Sequence, residues 1–420
     1  MTQPPSPKRR RLSVGVEAVG DSDALAQLPD DAVAAVLDRV EDVWQKQRLK
    51  SVNSTFYRLL QLPHCYRSST LSLDYADRCF LDPGHLHLNG RPVPRNQTEV
   101  YSKLCETLQP IRRFRCLSWG GSCESWWFQP LNSHRVSCRL ERLEFEGSSA
   151  AIEQLVALIE DNCASLTSVR LLLLLSEHEL LVEHLISLCQ ALSHCTKMRD
   201  LELEYDYFVC GFDFPWTEQT KVLNCVREMC ASLPNLTRLQ LRPLLMVSTH
   251  AVDILLQCPQ VTAAHFSLGL ILGPSDNVAF DRLTGHPDRG AGLRTLTLRS
   301  FVTGDRLALF VEQLPNLKEL GVDGLVSFIP ESSRVFADAN PFQLTRALDR
   351  ILTMVANRQQ TSFRLFVREL AFGEELRLQL YMQILACAGC AVQMAEASCA
   401  DRKAFALTRA HAVLVLEFEQ

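Results

Sequence analysis

Two rhythms of apolar and polar positions run along this chain. Between residues 28 and 60 the rhythm is helical: Val33, Val36, Leu37 and Val40 form one stripe, and Leu49, Val52, Phe56, Leu59 and Leu60 form a second. Offsets of three, four and seven put each set on one helical face. Leu28-Pro29-Asp30-Asp31 supplies a helix start, because proline sacrifices no needed N–H in a first turn and the helix dipole favours aspartate there. Two short helices cannot bury both stripes by themselves. The remaining apolar surface needs cover from the rest of the chain or from another protein.

From residue 68 the rhythm changes to Leu-x-x-Leu-x-Leu, whose alternation marks a short strand with one buried face. It occurs as Phe114-x-x-Leu117-x-Trp119, Leu140-x-x-Leu143-x-Phe145, Leu166-x-x-Val169-x-Leu171 and Met198-x-x-Leu201-x-Leu203. It returns as Leu236-x-x-Leu239-x-Leu241, Val261-x-x-Ala264-x-Phe266, Leu293-x-x-Leu296-x-Leu298 and Leu317-x-x-Leu320-x-Val322. The steps between first residues are 26, 26, 32, 38, 25, 32 and 24, near the leucine-rich-repeat period except where insertions lengthen them. Amphipathic stretches such as Ile152, Leu155, Val156, Ile159 and Leu181, Leu185, Leu188, Leu192 lie between the strands. Each strand and helix pair leaves an apolar face that the next repeat closes.

These patterns predict an α/β fold: a tail over 1–24, a helical unit over 25–67, and over 68–420 a solenoid with parallel strands inside and helices outside. Residues 68–74 supply an initial strand; 364–370 and 412–418 supply late strands, the last as a C-terminal cap. The Asn or Cys that usually stands three positions after the last leucine is replaced by Ser148, Leu244, Phe301 and Leu325, which predicts an irregular horseshoe.

Leu28-Pro29 followed by Val36-Leu37, then Ser51-Val52-Asn53-Ser54-Thr55-Phe56-Tyr57-Arg58-Leu59, resembles an F-box. In that family the motif docks onto the Skp-family adaptor of cullin-RING ubiquitin ligases, and irregular leucine-rich repeats often follow it. The resemblance covers about a tenth of the chain and rests on a degenerate motif. It implies adaptor contact by Leu28, Pro29, Val33, Val36, Leu37, Leu49, Val52 and Phe56. Between the two helices the chain departs from the family: Val43-Trp44-Gln45-Lys46, with one extra residue, stands where an acidic residue and a leucine are usual. The alternative is an ordinary helix pair capping the repeats.

If the strands stack in register, the residues alternating with the leucines share one concave face, about 4.8 Å from their equivalents on the next strand. They are Arg142, Glu144, Glu146; Ser168, Arg170; Asp200, Glu202, Glu204; and Arg238, Gln240, Arg242. Asp200 then neighbours Arg238, Glu204 neighbours Arg242, and Arg170 lies between Glu144 and Glu202. Such a ladder either pairs within the sheet, each pair contributing a few tenths to about 1 kcal/mol, or serves as a polar docking face.

Aromatic residues concentrate after two strands. Trp119 leads into a loop with Trp126, Trp127 and Phe128, and the 38-residue step carries Tyr205, Tyr207, Phe208, Phe212, Phe214 and Trp216. Both loops leave the C-terminal ends of their strands, three strand spacings or roughly 14 Å apart. Trp119, Trp126, Trp127, Phe128, Tyr207, Phe208, Phe214 and Trp216 are therefore target-binding candidates, since semi-rigid aromatic side chains on a scaffold are common interface anchors. The competing reading is a lid folded onto its own core.

Charge and cysteine usage narrow the classes. A formal charge of −5 argues against general nucleic-acid binding, which needs a basic face. The N-terminal tail nevertheless holds Lys8-Arg9-Arg10-Arg11, either a nuclear localisation signal or simply a solvated charge run, and Ser6-Pro7 fits a proline-directed kinase site. No apolar run reaches membrane-spanning length, and no apolar segment follows the basic cluster as a signal peptide requires. An intracellular protein of cytoplasm, nucleus or both is expected. The sixteen cysteines are scattered, which reads as reduced buried thiols; Cys387 and Cys390 have no second pair at zinc-ligand spacing.

Nothing in the sequence specifies catalysis: there is no metalloprotease, phosphate-loop, nucleophile-elbow or dinucleotide motif. His178-Glu179 and His184 are six apart, which turns the second imidazole off the face of the first. The expectation is a non-enzymatic protein without metal or cofactor, the substrate-recognition subunit of an SCF-type ubiquitin ligase. Its partners would be a Skp-family adaptor, the cullin-RING assembly and a protein target. The alternative is a leucine-rich-repeat scaffold unconnected to ubiquitin. A hydrolytic site assembled from distant segments is a more distant third.

Overall fold

The computed structural model describes residues 29–40, 45–46, 49, 52, 54–60, 65, 70–74, 86–88, 91–93, 116–120, 140–148, 152–174, 181–206, 216–246, 248–271, 282, 292–326, 341–357, 362–369, 391–395, 402–409 and 412–419. Helices α1 (Asp30–Asp38) and α2 (Ser54–Leu59) come first, then strand β1 (Thr70–Asp74) and the hairpin β2 (Leu86–Leu88) and β3 (Arg91–Val93). The chain continues with β4 (Cys116–Gly120), β5 (Arg142–Ser148), α3 (Ile152–Asn162), β6 (Ser168–Leu174), α4 (Leu181–Ser193), β7 (Asp200–Asp206), α5 (Trp216–Ala231), β8 (Arg238–Met246) and α6 (Ser248–Gln257). It ends with β9 (Ala263–Ile271), β10 (Thr295–Thr303), α7 (Gly304–Gln313), β11 (Glu319–Val326), α8 (Pro341–Asn357), β12 (Ser362–Glu369), β13 (Ala391–Ala395), β14 (Arg402–Arg409) and β15 (Ala412–Glu419).

The fold is mixed α/β around a mostly parallel sheet. Its thirteen strands run in the order β1-β4-β5-β6-β7-β8-β9-β10-β11-β12-β15-β14-β13, parallel from β1 to β15 and antiparallel across the last two pairings. The repeat leucines set this register. Leu117, Leu143, Val169, Leu201, Leu239, Ala264, Leu296 and Leu320 are successive partners across the sheet, and from Leu143 onward every one of them is buried. A one-residue slip would turn this whole row toward the polar face, so the burial of one face fixes the pairing.

The N-terminal ends of successive strands are tied by a backbone chain. Thr167 donates its N–H to the Glu141 carbonyl, Arg199 to Thr167, Thr237 to Arg199, Thr262 to Thr237, Arg294 to Thr262 and Lys318 to Arg294. Where threonine occupies this position its hydroxyl donates to the same carbonyl, as Thr167 does at 3.0 Å, Thr237 at 3.1 Å and Thr262 at 3.2 Å. Behind the sheet, α3 packs on α4, α4 on α5, α5 on α6 and α7 on α8. The apolar faces of these helices and the sheet leucines form one core, which also takes in Val33, Leu37, Leu59 and Leu60 of the first two helices. On the polar face Gly321 sits against Thr297; a Cβ there would come within 2.9 Å of the threonine methyl, so the close approach requires glycine.

The C-terminal edge corrects one expectation. The strand containing residues 412–418 does not end the sheet: β15 lies between β12 and β14, and β13 is outermost. Only Ala410 and His411 separate β14 from β15, too short a connection for a parallel crossover, so the two strands form an antiparallel hairpin. Arg409 of β14 faces Asp349 of α8 at 2.5 Å, which ties the hairpin to the last helix. No helix among the described residues is long and apolar enough to cross a membrane.

Candidate functional site

The first candidate surface is the two-helix unit. Pro29 precedes α1 as its N-cap, and its carbonyl accepts the N–H groups of Ala32 and Val33 at 2.9 and 3.2 Å; Asp30 and Asp31 fill the first turn. Arg58 of α2 reaches back to Asp30 at 2.7 Å, an exposed pair of small energetic weight. Val33, Ala34 and Leu37 of α1 point inward with Leu59, Leu60 and Cys65, while Leu49 and Phe56 are half-buried against the same core. The predicted stripes therefore divide. Val36 is 60% exposed and Val52 62%, and Tyr57, which the sequence pattern did not single out, is 56% exposed. These three are the exposed large apolar side chains among the described residues.

Lys46 stands in the segment that departs from the F-box pattern, and it is fully buried. Its ammonium bonds to the Cys65 carbonyl, lies 3.5 Å from the Asp38 carbonyl and 3.9 Å from the Asp38 carboxylate. Burial pushes its pKa down to about 8, only partly opposed by Asp38. A lysine thus takes an interior position by donating to the carbonyl end of α1, the end the helix dipole makes negative.

The second candidate surface is a trough of about 420 Å3 on the polar face of the sheet, lined from β5 to β10. The ladder pairs as register predicts. Arg170 Nε is 3.3 Å from Glu202, Arg238 Nε is 3.7 Å from Asp200, and Arg242 is 3.8 Å from Glu204. Gln240 adds a hydrogen bond to Glu202, and Arg242 Nε donates to His265 Nε2 at 3.1 Å, which fixes that nitrogen as the unprotonated one. Glu144 and Glu146 are exposed at the β5 border.

The other sequence candidates are less informative. Trp119 lies in β4 as the register partner of Leu73 and Phe145, and Trp216 begins α5. Leu28, Trp126, Trp127, Phe128, Tyr207, Phe208 and Phe214 lie outside the described residues, as do Lys8, Arg9, Arg10, Arg11, Cys387 and Cys390. Among the described residues no cluster of His, Cys, Asp and Glu is suited to a metal ion. Cys65, Cys163, Cys189, Cys195, Cys225, Cys230 and Cys258 are free thiols, and burial pushes Cys189 and Cys195 up to about 12 and Cys258 to about 11. No protein-family model matches the chain, and no curated protein matches it.

Proposed function

We propose that this chain is a non-catalytic substrate receptor of an SCF-type ubiquitin ligase. In this reading the two-helix unit docks a Skp-family adaptor, and the repeats form an irregular leucine-rich-repeat solenoid that holds a protein target on its concave side. Ubiquitin transfer is catalysed elsewhere in the assembly. The receptor contributes effective concentration, keeping target lysines near the activated thioester.

The observation that carries the reading is the exposure of Val36, Val52 and Tyr57 in the unit whose sequence resembles an F-box. Exposed large apolar side chains on so small a unit are candidate contacts for another protein, and tyrosine is a favoured interface anchor. The in-order parallel pairing from β4 to β12 supports the solenoid half of the proposal. The basic run Lys8-Arg9-Arg10-Arg11 would direct the receptor to the nucleus.

A scaffold without any link to ubiquitin is the second reading. It is favoured by the burial of Val33, Leu37, Leu59 and Leu60 in the core shared with the repeats, as a capping helix pair requires. Affinity purification of the full chain from cells, scored for adaptor and cullin, separates the two. The receptor reading expects both proteins with the wild type and neither with a Val36→Asp, Val52→Asp variant. Equal recovery from both chains, or none from either, leaves the scaffold.

A further inference from the structure

Opposite charges pair across the trough, but their members are not equally exposed. The Arg170 side chain is 60% exposed against 25% for Glu202, and Arg238 is 74% exposed against 44% for Asp200. In each pair the guanidinium is the more exposed partner. Both arginines face their acids through Nε. The terminal amino groups of a guanidinium are the fork that grips a carboxylate or phosphate.

Glu202 is doubly engaged, by Arg170 and by the Gln240 amide, so its charge is spent inside the sheet. On the far side the lining combines the small residues Ala263, Thr295 and Thr297 with His265. On the near side β5 contributes the exposed Arg142 and Glu144, one cation and one anion. The lining sets Arg142, Arg170 and Arg238 against Glu144, Asp200 and Glu202, and in both ion pairs the arginine is the more exposed member.

We propose that the trough binds an extended acidic segment of the target protein, with its anionic oxygens on the terminal amino groups of Arg170 and Arg238. The two arginines are separated by two strand spacings, roughly 10 Å across the sheet. One extended peptide with several acidic groups spans both. The inference deepens the target-holding half of the function proposed above and rests on it. Glutamate or aspartate side chains and phosphorylated serines share the chemistry the fork recognises.

The test uses the full chain and fluorescence anisotropy with three fluorescein-labelled peptides: a Gly-Glu repeat, a Gly-phosphoserine repeat and a Gly-Lys repeat. At least one anionic peptide is expected to bind while the Gly-Lys repeat does not, and the tighter of the two names the oxyanion. An Arg170→Ala, Arg238→Ala variant is expected to bind roughly tenfold or more weakly. Filling the trough with Thr297→Trp is expected to block binding with both arginines present. Circular dichroism checks that these polar-face variants are folded. Failure of both anionic peptides to bind, wild-type affinity in the double variant, or tighter binding of polyuridylate RNA would overturn the proposal. Because no adaptor is present, any of these outcomes leaves adaptor docking to be judged by the co-purification alone.

Discussion

Asn162, the last residue of α3, accepts the backbone N–H of Leu140 on its side-chain oxygen at 3.0 Å and donates its amide to the Leu158 carbonyl at 2.9 Å. One buried amide thus closes a helix end and satisfies the N–H that leads into β5, where no water is available to do so. Asn162→Ala leaves that N–H unpaired. The variant is expected to be about 2 kcal/mol less stable by urea unfolding, the usual cost of an orphaned buried donor; a change within a few tenths of a kcal/mol would mean the bond is not made.

The buried ammonium of Lys46 predicts a pH dependence of definite sign. Its folded pKa of about 8 lies below the unfolded 10.5, so between these values the unfolded chain holds more protons and stability rises with pH. Below pH 8 both states are charged and the contribution is constant. The wild type is expected to gain up to about 3 kcal/mol relative to Lys46→Met between pH 8 and 10.5. Parallel stability curves for the two chains would show that the ammonium is hydrated.

The buried thiols act in the opposite direction. Cys189, Cys195 and Cys258 stay neutral in the fold to about pH 12, 12 and 11, while the unfolded thiols ionise near 9. The folded state then holds more protons, and stability falls as pH rises above about 9. At pH 8 the native chain treated with iodoacetamide and mapped by mass spectrometry is expected to be unmodified at these three residues. Rapid labelling of all three without denaturant would contradict their burial.

The ladder pairs should contribute little to stability. A double-mutant cycle on Arg238 and Asp200, followed by urea unfolding, is expected to give a coupling below about 1 kcal/mol, since both side chains are substantially exposed. A coupling of several kcal/mol would make the ladder a stability element and remove the reason to regard Arg238 as available to a ligand.

Much of the sheet was legible because a single rule governs it. Residues such as Leu143, Val169, Leu201 and Leu239 must share the buried face, so their spacing determined which residues become neighbours, and the pairs Asp200–Arg238, Glu204–Arg242 and Arg170–Glu202 followed from that register. The hairpin β13–β14 escaped because antiparallel strands need no repeat motif. Thr167, Thr237 and Thr262 occupy the first variable position of three repeats, a recurrence that was visible but lies in a slot the leucine pattern ignores. Lys46 was not legible: lysine is almost always a surface residue, and only the carbonyls gathered around it explain its burial.

The helical unit was legible as a unit but not in its facing. A stripe at Val33, Val36 and Leu37 spans more of α1 than one neighbour covers, so packing had to choose, and it took Val33, Ala34 and Leu37. In the second stripe α2 begins only at Ser54, which leaves Val52 in the turn before it and outside the helical spacing that placed it with Phe56. Tyr57 is exposed between the half-buried Phe56 and the buried Leu59.

Isothermal titration of the purified full chain with purified Skp-family adaptor tests the central claim most directly. The wild type is expected to form a one-to-one complex, weakened roughly a hundredfold or more by Val36→Asp with Val52→Asp, and measurably by Tyr57→Ala, with the folds intact by circular dichroism. Absence of binding by the wild type, or the same affinity in all three chains, would contradict it.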